Sequence, residues 1–126
     1  MVLGNLFRRK RKPVMGSPRA NDAVRERLRA YGDDGERIRH ILHYAYPDAD
    51  RELHMRPAII ETLIARGFGV SDAAVASGIV LEHFETVAPD TFDIVTAELS
   101  AWFAERGWEY DGWECEVLKK DEKSGD

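Results

Sequence analysis

The sequence predicts an α+β fold, a four-stranded antiparallel sheet with two helices on one face. Three observations predict it. Stretches rich in β-branched and aromatic residues recur at 37–46, 79–87 and 108–117, with a weaker one at 68–75. Apolar residues recur at helical spacing over 56–66 and 90–106. Glycine-bearing turns separate the stretches at Gly32-Asp33-Asp34-Gly35, Gly67, Ser77-Gly78 and Gly107. The order strand, helix, strand, strand, helix, strand (βαββαβ) is that of a ferredoxin-like sandwich, here behind a leading N-terminal helix.

The leading helix is expected over 21–31, with Asn21 as its cap. Val24, Leu28 and Tyr31 form its apolar stripe; Arg25, Glu26, Arg27 and Arg29 lie opposite. The first strand, 37–46, has two faces. Ile38, His40, Leu42, Tyr44 and Tyr46 are the more apolar set and are placed inward; Arg37, Arg39, Ile41, His43 and Ala45 are placed outward.

Pro57 removes one helical donor, so the next helix is expected to begin near residue 56, with Pro57 in its first turn and residues 50–55 as an irregular lead-in. Ile59, Ile60, Leu63 and Ile64 cover one side of it, and Gly67 ends it. The third strand, 79–87, divides Ile79, Leu81 and His83 from Val80, Glu82, Phe84 and Thr86, and its faces do not rank clearly.

The last helix is capped by Asp90 and closed by Gly107. Phe92, Val95, Leu99, Trp102 and Phe103 fall within roughly one 100° arc, the width of a core-facing stripe. In the final strand the alternation breaks between Tyr110 and Trp113. Asp111-Gly112 is either a two-residue hairpin turn or a glycine bulge that restores one apolar face. The bulge fits better, because a hairpin leaves about two or three residues before the turn against a usual strand of about 5–6. Trp102 and Trp113 are expected in the core, and Trp108, at the strand entrance, more exposed.

A chain of 126 residues with 44% hydrophobic content forms a single core without staples. One cysteine, Cys115, excludes an intrachain disulfide and fits the reducing cytoplasm. No apolar run reaches the roughly 18 residues of a membrane span, and no signal peptide is expected. Charge divides the chain. Residues 1–20 hold six cations and no acid; the whole chain is −5, which leaves −11 on residues 21–126. The chain thus reads as a basic, disordered arm (1–20), one α+β domain (21–118) and a charged tail (119–126).

Catalytic signatures are absent from the sequence: no nucleophile elbow, no phosphate-cradling glycine loop, no paired cysteines. Glu82 and His83 point to opposite sides of a strand and form no acid–base pair. His40 and His43 cannot bind one metal from the same face, and His54 with Asp50 lacks a third ligand within reach. No enzyme activity, metal or cofactor is expected.

Tyr110-Asp111-Gly112-Trp113, after a helix ending at Gly107, resembles the signature of the RraB-like family, the regulators of ribonuclease E activity of type B. Gly32-Asp33-Asp34 before a His-containing strand, and Gly67-Phe68-Gly69-Val70 after a helix, extend the resemblance over about residues 31–118. It implies the same sandwich and a non-catalytic protein that binds ribonuclease E or its RNA-degrading assembly and lowers its activity. Tyr110, Asp111, Gly112 and Trp113 match the family motif residue by residue, and as residues they read as a bulge with two buried aromatics.

Two modes of binding follow. The acidic body is suited to a protein partner. The arm, through Arg8, Arg9, Lys10, Arg11 and Lys12, is suited to RNA or another acidic partner; the body's −11 repels phosphate, which confines nucleic acid to the arm. The better-known family members are acidic at their ends, and this basic arm departs from them.

Overall fold

The computed structural model describes residues 15–71 and 77–119. Its elements are α1 (Pro18–Ala30), β1 (Arg39–Pro47), a 3-10 turn (Asp50–Met55), α2 (Arg56–Ala65), β2 (Gly69–Val70), β3 (Ile79–Glu85), α3 (Thr91–Ala104) and β4 (Trp108–Cys115). The strands form one antiparallel sheet in the order β2-β3-β1-β4. This is the expected βαββαβ sandwich behind a leading helix.

α1 starts earlier than expected. Ser17 caps it, its Oγ accepting from the Ala20 amide at 3.2 Å, and Pro18 occupies the first turn, where its missing donor costs nothing. Asn21 is therefore not the cap but a fully buried residue of the first turn. The buried face runs through Asn21, Arg25 and Leu28, while Tyr31, expected inside, is 60% exposed. Arg25, expected outside, is buried because partners wait for it: Asp22, Asp93 and the Val87 carbonyl. The helix docks through hydrogen bonds as much as through apolar contact.

The faces of β1 are the reverse of the expectation. Arg39, Ile41, His43 and Ala45 are buried; His40, Leu42, Tyr44 and Tyr46 are half-buried on the other side, and Ile38 is exposed. Two polar residues on the inner face give it the look of an outer one, and both are satisfied there, Arg39 by the turn just before the strand and His43 by partners distant in the chain. Arg39 makes a two-pronged bond to Asp33 at 2.6 and 2.9 Å, both side chains wholly buried. His43 bonds to Tyr110 and His83.

α2 starts where Pro57 requires, with the 3-10 turn as its lead-in. β2 is two residues long, with Phe68 and Ser71 outside it; residues 72–75 of the expected strand lie outside the described residues. β3 ends at Glu85, short of Val87. At α3 the Asp90 side chain makes no capping bond, contrary to expectation; Asp90 sits at φ 73° and contributes only its carbonyl, which accepts from the Ile94 amide. The α3 stripe buries Phe92, Leu99 and Phe103, with Thr96 added and with Val95 and Trp102 only half-buried.

β4 contains the bulge. Trp113 pairs with His43 and Tyr110 with Ala45, so Asp111 and Gly112 together face Tyr44. Gly112 takes the extra residue at φ 102°, open to glycine without steric cost. The bulge returns Trp113 and Cys115 to the side of Trp108 and Tyr110, and all four pack on the core. One core cluster holds Ile59, Leu63, Ile79, Leu81, Leu99, Phe103 and Trp108 among its members; the other is Leu28, Ile41, Val87 and Phe92, and Trp113 touches both.

Trp108 is the most buried tryptophan, at 1% exposure, against the expectation of a partly wet ring. Its Nε1 donates to the Glu52 carbonyl in the 3-10 turn at 3.2 Å. Burying such a ring contributes roughly 4–6 kcal/mol of transfer free energy.

Candidate functional site

The core clusters place all three helices on one face of the sheet. Among the described residues no helix covers the other. The pairing lays out that face as rows: His40 opposite Phe84, Leu42 opposite both Glu82 and Glu114, Tyr44 opposite Val80. Phe84 is 71% exposed although it sits in a regular strand. A single exposed apolar residue is ordinary; Phe84 matters for its place beside His40, Leu42 and Glu82 on one sheet face.

The polar groups of this face are held in place. His40 Nε2 and Glu82 Oε1 are 2.5 Å apart, and the His40 ring packs against Phe84, tilted by 30° with centroids 5.0 Å apart. The Tyr44 hydroxyl donates to Glu114 Oε2 at 2.8 Å. Burial, then the neighbouring Glu114 carboxylate, pushes the Tyr44 phenol up to about 12, so it stays a donor at neutral pH. Glu82 is thus paired with His40 on its own face, not with His83.

The inner face holds two further constellations. The first runs from the Tyr110 hydroxyl to His43 Nδ1 (2.8 Å) and from His43 Nε2 to His83 Nε2 (2.9 Å), with Phe68 packed on both imidazoles. Burial, then the facing His83, lowers His43 to about 3, and burial lowers His83 as well. Burial raises the Tyr110 phenol. These shifts keep all three groups neutral, as suits a hydrogen-bonded core rather than a proton-transfer site.

The second is Asp33 with Arg39. Burial pushes the Asp33 carboxyl up, but the Arg39 guanidinium and the Leu118 and Gly35 amides outweigh it and hold the carboxyl at about 2. Arg39 also donates to the Glu116 and Arg37 carbonyls. One ion pair thereby ties the turn before β1 to the chain leaving β4.

The motif residues separate in space. Tyr110 and Gly112 are buried, Asp111 is exposed, and Trp113 is half-buried with its Nε1 donating to Asn21 Oδ1 at 2.7 Å. Asn21 in turn donates to Asp93 and Thr96, so the motif clamps α1 and α3 together. Arg8, Arg9, Lys10, Arg11 and Lys12 lie outside the described residues. Among the described residues no three His, Cys, Asp or Glu side chains gather in a metal-binding group, and no helix is long and apolar enough to cross a membrane. The outer rows are not legible in the sequence, because the more apolar face of β1 is the outer one.

This arrangement defines a class: a ferredoxin-like α+β sandwich with a carboxylate-bearing sheet face that no helix covers among the described residues. The family model RraB, Regulator of ribonuclease activity B, matches residues 19–115, and the chain belongs to this family. Membership implies a non-catalytic regulator of ribonuclease E activity that works by protein binding. No curated protein matches the chain.

Proposed function

We propose that the chain docks on ribonuclease E, or on its RNA-degrading assembly, with the sheet face that carries Phe84, Glu82 and Glu114, and that this docking lowers RNA cleavage in the cytoplasm. The observation that carries the reading is Phe84, 71% exposed and flanked by Glu82 and His40. A solvated aromatic ringed by polar groups is the anatomy of an interface anchor. The acidic body favours a basic partner surface and speeds the encounter. The test is capture of ribonuclease E by the full chain at moderate salt, with RNA cleavage measured in parallel. Phe84→Ala is expected to weaken capture by about tenfold, the loss of a typical interface anchor. Absence of the ribonuclease and its assembly from the wild-type capture, or full capture by Phe84→Ala, counts against the reading. In this reading Tyr110, Gly112 and Trp113 serve architecture, and Asp111 adds to the acidic surface.

A second reading concerns the arm. Five consecutive cations at Arg8, Arg9, Lys10, Arg11 and Lys12 support an anion contact, with RNA as the natural polyanion beside a ribonuclease. Deletion of residues 1–12 is expected to abolish any steeply salt-dependent RNA binding and to leave ribonuclease capture intact. Unchanged RNA binding after the deletion removes this role.

A further inference from the structure

The outer face has a regular geometry that specifies what can lie on it. Glu82 on β3, Leu42 on β1 and Glu114 on β4 stand directly opposite one another in a single cross-strand row. Neighbouring strands are about 4.8 Å apart, so the two carboxylate-bearing strands are separated by roughly 10 Å, close to the 10–12 Å diameter of an α-helix with its side chains. Between and beside them lie apolar and aromatic surfaces: Leu42, the Tyr44 ring and the exposed Phe84.

The carboxylates are oriented in advance. Glu82 spends Oε1 on His40, and Glu114 spends Oε2 on Tyr44. Among the described residues no hydrogen bond occupies the second oxygen of either, so each can accept from a cation without first leaving a partner. Glu109 and Asp111, exposed on β4, continue the negative flank along the sheet edge. RNA is disfavoured on such a face, since its phosphates would meet carboxylates. An extended segment is disfavoured too, because a strand adds at a sheet edge through backbone bonds, not across a face.

We propose that this face, which no helix covers among the described residues, receives an amphipathic α-helix of ribonuclease E or its assembly, with Lys or Arg on both flanks of an apolar stripe. The helix lies along β1 as a third layer, mirroring α2 and α3 on the inner side. Its stripe covers Leu42, Tyr44 and Phe84; its flanking cations reach Glu82 on one side and Glu114 on the other. This inference rests on the docking face assigned above and adds the chemistry and the shape of the occupant.

The test uses the full chain and intact ribonuclease E. The double reversal Glu82→Lys/Glu114→Lys is compared with Glu61→Lys/Glu98→Lys, exposed glutamates of α2 and α3. The face reversal is expected to weaken binding by about tenfold or more and the helical-side reversal by less than about twofold, as for charges inside and outside an interface. Glu82→Gln/Glu114→Gln, which keeps the hydrogen-bonding capacity of both positions, guards against misfolding and is expected to fall between them.

A second arm needs no ribonuclease. A synthetic amphipathic Leu/Lys helical peptide is titrated into the free protein, followed by backbone amide shifts, against a scrambled peptide of the same composition. Shifts concentrated at Leu42, Glu82, Phe84 and Glu114, produced by the amphipathic peptide alone, support the inference. Equal shifts from the scrambled peptide, or shifts centred on α2 and α3, overturn it. Wild-type binding to ribonuclease E that survives the face reversal overturns the inference and leaves the ribonuclease reading standing. Failure of the wild type to bind ribonuclease E overturns that reading, and the peptide arm then decides the face by itself.

Discussion

His43 Nε2 lies 2.9 Å from His83 Nε2, and its Nδ1 lies 2.8 Å from the Tyr110 hydroxyl. Those contacts set the protons. The phenol has no other hydrogen-bond acceptor among the described residues, so it donates to Nδ1. A neutral imidazole has one N–H, which His43 then carries on Nε2 and donates to His83. Charging His83 sets an N–H on each of the two facing Nε2 atoms.

This chain predicts acid sensitivity. His43 is held at about 3, below its ordinary 6.5, so in that interval the unfolded chain binds a proton that the native state refuses. Stability is therefore complete above the ordinary value and falls as pH drops from there toward 3, by about 3 kcal/mol near pH 4. The lowered His83 adds in the same direction. Urea melts of the wild type and of His43→Phe/Tyr110→Phe across this range measure it. The double variant is expected to show a flatter dependence; parallel curves remove the histidine contribution.

The Asp33–Arg39 pair predicts a large, one-sided loss. Asp33→Asn leaves a buried guanidinium without its counter-charge and is expected to cost about 3–5 kcal/mol. The Asp33 carboxyl is held at about 2, so its contribution is present above its ordinary 3.8 and is lost as pH falls through 2. That window begins at 3.8, inside the lower end of the histidine one, and extends further into acid, so denaturation midpoints taken above 4 report the histidine alone.

Gly112→Val is expected to be far more damaging than Gly107→Ala. At φ 102° a β-branched residue is strained, and a Cβ would also displace the Met15 side chain. A loss of about 2–4 kcal/mol is expected. Gly107 also has a positive φ, 76°, but its new Cβ meets only the movable end of Glu52, for a cost of about 1 kcal/mol. Equal urea midpoints for the two variants would remove the bulge as a determinant.

The tryptophans predict an order of quenching. In variants that retain one tryptophan each, the Trp108 species is expected to resist acrylamide best, since it is the one fully buried. Trp102, its ring capped by Arg106 at 4.0 Å, and Trp113 are half-buried and more accessible. An easily quenched Trp108 would contradict the packing of the 3-10 turn over it.

The family resemblance and the Asp111-Gly112 irregularity were legible from the chain, but the candidate site was not. Reading β1 by apolarity chose His40, Leu42 and Tyr44 for the interior, which hid the face that carries Phe84, Glu82 and Glu114. Hydrophobic alternation within the strand does not correct that choice. Arg39 is made buriable by Asp33 in the preceding turn, and His43 by Tyr110, which is distant in the chain and meets it only through the β1–β4 pairing.

By itself the sequence determined the order of strands and helices, the helix start at Pro57, the glycine stops and the irregularity in the last strand. Each of these depends on hydrophobic period or on the allowed φ of a residue, and both are properties of a few consecutive positions. Only the tertiary structure decided which face of β1 is inner, that Asn21 and Arg25 are buried anchors of α1, and that Trp108 is covered by the 3-10 turn. Those outcomes depend on partners supplied from elsewhere in the chain, because a polar side chain is buried only where another group satisfies it.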